Sequence, residues 1–457
     1  MIAYQALGQI WAELGLPAMS AEISGGEPTL PSSFAVGSVA AATIAASGMA
    51  AASLWRLRTG RAQAVSVDMR HACAEFRSEK ELRLDGRAAY DPGSVIAGLY
   101  RAGDGRLVRL HTNFRHFEDG VVRLLGCERS REAVAAALLG WSAFGFEDAA
   151  AAAGLAVTAC RSFAEWDAHP QGMAVPGLPL VRIEQIGDAP VEALPGSSRP
   201  LGGVRVLELT RVIAGPVSGR TLAAHGADVI NLTGPGLPSY RAEDMGRGKL
   251  SAQLDLRSAA GRAGMTALLR EADVFTQGYR PGAIGGLGFS PEAAVAARPG
   301  LVCASLSAYG AVGPWAGRRG FDSLVQTASG FNLAEAEAAG ETKPRTLPAQ
   351  AMDHGTGYLL AAGIMAALYR RATVGGSWHV SVALARTGWW LRGLPRIEGG
   401  FDVAPLGVDG FMETTDSGFG RMTAVRHAAQ LSETPVRWAR PSMPLGTHAP
   451  VWPARSA

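Results

Sequence analysis

The sequence predicts an α/β protein, in which a parallel sheet with helices on both faces is accompanied by a smaller α+β domain. Three observations predict it. Short β-rich runs alternate with helical stretches of about ten residues between Pro200 and Val382. A hairpin followed by short helices occupies the region from Leu99 to Gly172, a different texture. A degenerate echo of the later region stands near the N-terminus.

In chain order, Val204–Leu209 reads as a strand, and Pro216–Ala224 as a helix entered through Ala214-Gly215. Ala227–Leu232 is a second strand, Ser258–Glu271 a helix and Asp273–Thr276 a third strand. Pro291–Ala297 is a helix and Leu301–Leu306 a fourth strand. Strands linked by helices make a sheet buried on both faces, a Rossmann-like layer. In the smaller unit, Leu99–His111 is a hairpin turning at Asp104-Gly105, and helices follow at Phe117–Leu125, Arg131–Leu139 and Phe146–Gly154.

The echo pairs Ala46–Gly60 and Val65-Ser-Val67 with Ala361–Thr373 and Val380-Ser-Val382: a small-residue helix, a basic end, a turn and a Val-Ser-Val strand. At the place of Asp353 the first copy offers Gly37, Ser38 or Val39. The uncharged stretch Thr29–Trp55 is long enough to span a bilayer. It is built of Ala, Gly and Ser with few large aliphatics, so it reads as a tightly packed buried helix, not a membrane span.

At 457 residues the chain exceeds one simple core, so two or three structural units are expected. A net charge of +3 without a dense Lys/Arg run argues against a nucleic-acid partner. Cys73, Cys127, Cys160 and Cys303 are scattered, which suits a reducing cytoplasm with free thiols. The histidines show no metal-ligand spacing and the N-terminus no secretory signal, so no metal and no export are expected.

Asp353 is the most informative single residue. It stands at the mouth of an apolar helix in which Leu359, Leu360, Ile364, Met365 and Leu368 recur at helical spacing. Taken alone it reads as a helix cap, accepting hydrogen bonds from free N–H groups at the positive end of the macrodipole. Four patterns precede it in order: Leu209–Pro216, Gly246–Arg257, Ala272–Gly282 continuing to Leu287-Gly-Phe289, and Ser307–Trp315 with Arg319-Gly-Phe-Asp322. Together these resemble the class III CoA-transferases of the CaiB/BaiF type, which include formyl-CoA and carnitine CoA-transferases. The likeness is strong over residues 200–385 and weaker over 30–175.

The resemblance implies the CoA-transferase family III fold, with residues 1–90 a degenerate helix–strand segment packing on the large domain and 91–183 the small α+β domain. It further implies a linker at 184–200, a Rossmann-like CoA-binding catalytic domain at 201–395 and a tail at 396–457. It makes Asp353 the nucleophile of an acyl-CoA:carboxylate CoA-transferase, working through an aspartyl anhydride and an aspartyl-CoA thioester. The helix N-terminus is then expected to keep Asp353 ionised and to supply N–H donors to oxyanions. Val212, Ile213 and Ala214 correspond to family positions at the adenine end of CoA, Gly278 and Tyr279 to positions beside the nucleotide, and Leu287 to the same CoA site. Arg319 stands where a cation approaches the CoA phosphates.

Gly286 and Thr233-Gly234 depart from basic family positions. A glycine-rich lid has Gly399-Gly400 as its candidate. Coenzyme A and acyl-CoA are implied as substrates, with a small carboxylic acid, and no permanently bound cofactor. An interlocked homodimer follows from the resemblance, with the Ala/Gly/Ser helix near Val36–Leu54 as a packing surface.

Two other readings stay open. An acyl-CoA racemase or isomerase of the same family needs a His/Asp pair on opposite faces of the substrate, and its histidine position holds Phe321 here. His354 is the neighbour of Asp353 and does not share its helix face. A non-catalytic CoA-binding subunit is the second. A nicotinamide dehydrogenase is disfavoured, because the turn Thr210–Pro216 lacks G-x-G-x-x-G.

Overall fold

A computed structural model describes residues 1–89, 93–238 and 240–455. The boundary placed between residues 90 and 91 lies outside the described residues. The large sheet has seven strands, in the order Lys249–Gln253, Asp228–Thr233, Arg205–Leu209, Val274–Gln277, Val302–Ser307, Ser377–Ala383 and Arg182–Gly187. The first six are mutually parallel and the last runs antiparallel at the edge.

The four strands read between Val204 and Leu306 appear shifted by one residue at most, the Val380-Ser-Val382 strand starts earlier, at Ser377, and the helix placed at Pro216 starts earlier, at Ala214. Two strands of the large sheet were not foreseen. Lys249–Gln253 lay inside a motif read only for its resemblance. Arg182–Gly187 overlaps the expected linker: Ile183 and Ile186, three apart on a strand, point to opposite faces and pack against separate hydrophobic cores. Only the stretch after Gly187 is left without regular structure before the strand Arg205–Leu209.

From the central strand Arg205–Leu209 the chain first builds outward to Asp228–Thr233 and Lys249–Gln253. It then crosses to the other side of the central strand with Val274–Gln277. Such a reversal opens a crevice at the carboxyl ends of the two diverging strands, where ligands bind in open α/β sheets.

The two helices of the internal echo, Val36–Thr59 and Ala351–Val374, have the same length of 24 residues and pack together in the main core. Ser38 and Asp353 each occupy the third position of their helix, which settles the equivalence on Ser38. The helix Val36–Thr59 is apolar and long enough to cross a membrane, yet its most apolar stretch is wholly buried inside the chain. Its small residues are therefore spent on internal packing, as at Gly48 beside Val65 and Ala429, and the surface expected to face a second copy is taken up internally.

The small domain is a three-stranded antiparallel sheet, Gly98–Arg101, Leu107–Leu110 and Val157–Ala159, covered by the helices Arg115–Leu125, Arg131–Leu138 and Ala143–Ala152. It has its own core, into which Leu324 of the large domain inserts and against which Val212 and Phe321 pack. The tail is woven into the N-terminal segment. The hairpin Met412–Ser417/Gly420–Val425 pairs with Arg83–Leu84, and Ala429–Leu431 pairs with Val65–Asp68.

Candidate active site

A cavity of about 400 Å³ occupies the crevice at the strand reversal. Its walls are the turn after Leu209, the loop Gly278–Ala283, the end of Val302–Ser307, and His116 and Phe117 of the small domain. The turn is tight. Val212 sits at φ 74°, in the left-handed region that a β-branched residue rarely enters. A Cβ on Gly215 would lie 2.4 Å from that of Thr210, so only glycine closes the turn. The Asp353 helix is pressed onto the same turn, because a Cβ on Gly357 would come within 2.5 Å of the Ala214 carbonyl oxygen.

Val212, Ile213, Ala214, Gly278, Tyr279, Arg319 and Asp353 all line this cavity. Leu287 does not: it packs beside Tyr279 against the core formed by Leu207, Ile230 and Phe275. Gly399-Gly400 borders a separate cavity with Arg396 and Ser33, where the Gly400 carbonyl accepts from Ser32 N–H at 3.1 Å. It is no lid over Asp353 there.

Asp353 is 7% exposed and is not the cap of its helix. That task falls to Asp322, buried at the start of the helix Asp322–Ala328. Asp322 Oδ2 accepts from the Met352 and Asp353 N–H groups, both at 2.9 Å, while its Oδ1 accepts from Gln326. Among the described residues, the Asp353 carboxylate itself receives no hydrogen bond. Burial lifts its pKa well above the carboxylate range, and the charges of Asp322 and Glu79 raise it further. The helix-terminal support expected for the Asp353 charge does not reach its carboxylate: the Met352 and Asp353 N–H groups are already taken by a second carboxylate. Asp322 is itself raised to about 6 by burial, against the opposing hydrogen bonds from Asp353, Gln326 and Met352.

His354 is fully buried and bonded to Glu79 at 3.0 Å, stacked on Phe76, and it does not reach the cavity. Phe321 stacks on His111 with ring centroids 3.8 Å apart, fastening the small domain over the site.

Four arginines reach the cavity wall. Arg318 is held by the Glu147 carbonyl at 3.0 Å and lies over Trp315. Arg211, Arg280 and Arg319 have no carboxylate partner among the described residues, and burial with the charges of Arg280 and Arg211 lowers the Arg319 pKa. Cations gathered without anions form a site for an anion. Arg211, Arg280, Asp322, His116 and Phe117 went unassigned from sequence. Arg211, Arg280 and Asp322 stand inside the quoted motifs, whereas nothing local marks His116 and Phe117. Among the described residues no cluster of His, Cys, Asp and Glu has the makings of a metal site.

The model of CoA-transferase family III matches the sequence in two segments, residues 2–195 and 201–395. A probable fatty acyl-CoA transferase of Mycobacterium tuberculosis is 34% identical over 203 residues, 41% of this chain and 51% of that protein. A succinate–glutarate CoA-transferase of Agrobacterium fabrum is 32% identical over 211 residues, 42% of this chain and 52% of that protein. A crystal structure of a CaiB/BaiF family protein from Brucella suis is 26% identical, covers 49% of this chain and 65% of its own, and has a TM-score of 0.38. The chain spans about half the length of the curated relatives it matches. Both matched segments contribute to the cavity, His116 and Phe117 from the first and the rest from the second.

Proposed function

Because the chain belongs to CoA-transferase family III, we propose that it transfers coenzyme A from an acyl-CoA to a free carboxylic acid, with Asp353 as the carboxylate that carries each acyl group in between. The observation that carries this reading is a buried carboxylate that, among the described residues, receives no hydrogen bond and lines a cavity at the sheet's reversal point beside guanidinium groups with no carboxylate partner. Ionised Asp353 attacks the thioester carbonyl; the C–S bond breaks, and CoA thiolate leaves an aspartyl mixed anhydride. The thiolate then attacks the aspartyl carbonyl and releases the first acid, leaving an aspartyl-CoA thioester. The incoming acid attacks that thioester and forms a new anhydride, from which CoA thiolate removes the new acyl group. Atoms balance, and Asp353 returns as a carboxylate. A carboxyl whose pKa is raised is the more basic nucleophile once its proton has left, which suits attack on a thioester.

Arg280 and Arg319 suit the CoA phosphates, which compensates for the missing cations at Gly286 and Gly234. Val212, Ile213, Ala214, Gly278 and Tyr279 offer backbone and apolar surface to the rest of the cofactor-sized substrate. Four unpaired cysteines suit a reducing cytoplasm. An interlocked homodimer, as the resemblance implies, would have to use faces other than the helix Val36–Thr59. The racemase reading gains nothing, since His354 is spent on Glu79 and Phe321 is an aromatic fastening.

The test is to incubate the purified protein with a panel of acyl-CoAs and isotopically labelled acids and to follow the CoA products by mass spectrometry. Label entering the thioester pool, and absent with Asp353→Asn, supports the reading. Epimerised acyl-CoA without any exchange of acid would replace it with the racemase.

A further inference from the structure

Residues 210–215 carry the chain from the strand Arg205–Leu209 into the helix Ala214–Ala224, and all six line the main cavity. With Val212 in the left-handed region, the turn needs an outside hold to keep its shape. Beneath it lies an ion pair that the transfer chemistry does not use. Glu208 and Lys249 are 0% and 3% exposed, so both charges stand out of water. Lys249 Nζ donates to Glu208 Oε1 at 3.0 Å and lies 2.8 Å from Oε2. The pair grips the turn at both ends. Glu208 accepts from the Thr210 hydroxyl at the entry, and Lys249 Nζ donates to the Pro216 carbonyl at the exit, at 2.8 Å. The helix leaves room for this, since a Cβ on Gly219 would lie 2.2 Å from Glu208 Oε2. From the neighbouring strand, Asn231 Nδ2 donates to the Thr210 carbonyl at 3.2 Å.

We infer that Glu208 and Lys249 are positioning residues for coenzyme A: they hold the turn in its left-handed shape, so that their loss weakens CoA affinity without slowing the step at Asp353. This rests on the transferase reading, in which CoA lies against this turn. Neither side chain lines the main cavity, so both act through the turn. Stability alone does not account for the pair. A buried ion pair gives little net stability over an apolar pair of similar volume. Strained backbone, in turn, persists only where its surroundings over-determine it, and it gathers at ligand clamps. Once the pair is gone the turn relaxes, and only a fraction of molecules presents the binding shape. The apparent Kd then rises by the inverse of that fraction. Strain at one residue sets the scale, about 5- to 150-fold. Asp353 keeps its own supports, the Asp322 cap and the packing of its helix against Val36–Thr59.

The test compares wild type with Glu208→Leu/Lys249→Met, which removes both charges and strands neither, each with and without Val212→Gly. Glycine takes the left-handed conformation without strain and so makes the pair dispensable. Calorimetry gives the Kd for CoA, steady-state kinetics give kcat at saturating acyl-CoA, hydroxylamine trapping reports the acyl-enzyme, and melting reports the fold. Removing the pair should weaken CoA about 5- to 150-fold in the Val212 background and less than about threefold in the Val212→Gly background. In both, kcat should stay within about threefold. Thr210→Val cuts the turn from Glu208 and leaves the ion pair intact. It should weaken CoA in the same direction, and it decides the matter if the double variant does not fold. A Kd unchanged in the folded double variant or in Thr210→Val overturns the inference. So does equal weakening with and without Val212→Gly, which would make the pair ordinary packing, and so does a kcat that falls in step with affinity. Wild type that binds CoA but yields no hydroxamate overturns the transfer mechanism instead, and the Kd comparison still judges the inference. Wild type without affinity for CoA overturns both.

Discussion

Asp322→Asn isolates the electrostatics beneath Asp353. The Asp322 carboxyl is buried, and its pKa rises from 3.8 to about 6. A raised carboxyl pKa means that the folded state holds the proton more tightly than the unfolded chain. Stability is therefore full below about pH 4, falls as pH rises, and has lost the whole amount above about pH 6. Two pKa units at about 1.36 kcal/mol each give a loss of about 3 kcal/mol. Asparagine carries no charge and removes that loss. Its carbonyl still accepts from the Met352 and Asp353 N–H groups, while its NH₂ now confronts Gln326, at a cost of about 1 kcal/mol. The variant should thus be about 2 kcal/mol more stable at pH 7 and no more stable at pH 3.5. Urea unfolding followed by tryptophan fluorescence at a series of pH values measures this. Wild-type and variant curves that stay parallel across pH 4–6 would refute the buried charge pair. Asp353 loses a neighbouring negative charge in the same variant, so the acid limb of the transfer rate should move to lower pH.

Asp353→Asn should bring turnover to background while leaving the protein at least as stable at pH 8 as wild type, because an ionised carboxylate is disfavoured there; a destabilised but active variant would contradict both points. Gly357→Ala should cost about 1–3 kcal/mol by overpacking, since its methyl group would meet the Ala214 carbonyl and Val217, and thermal melting reports it. Lys249→Met should destabilise by about 3–5 kcal/mol by stranding the buried Glu208, and the double variant Glu208→Leu/Lys249→Met should regain most of the loss. Ser38→Asp should lower the melting temperature, because a carboxylate would be buried beside Glu27, whose Oε1 already accepts from Ser38 N–H; it should restore no activity to Asp353→Asn.

The alternation of strands and helices was readable because the four strands between Arg205 and Ser307 that were read from sequence are buried on both faces and so form short apolar runs. Arg182–Gly187 was not, since an edge strand of six residues carrying Arg, Glu and Gln has the composition of a linker. The Asp353 helix and its echo were visible as a repeat, but placing Ser38 opposite Asp353 required the equal helix lengths. At the site, seven of the residues named from the resemblance meet in one cavity, because six of them follow the carboxyl ends of adjacent parallel strands and the helix carrying Asp353 is pressed onto the first of those turns. Leu287 failed because its motif continues past the cavity into a short helical turn packed on the core. The use of the helix N–H groups at Asp353 was misread for a nonlocal reason. The competing acceptor, Asp322, stands thirty-one residues earlier, and only the packing of two helices sets it on the same N–H groups.

Hydroxylamine trapping tests the central claim most directly. Purified protein mixed with a productive acyl-CoA and hydroxylamine, then digested and sequenced by mass spectrometry, should carry a hydroxamate on Asp353, because aspartyl anhydrides and thioesters are the electrophiles that the amine intercepts. The adduct should depend on acyl-CoA and be absent from Asp353→Asn. A hydroxamate on another carboxylate, with Asp353 unmodified, would contradict the account.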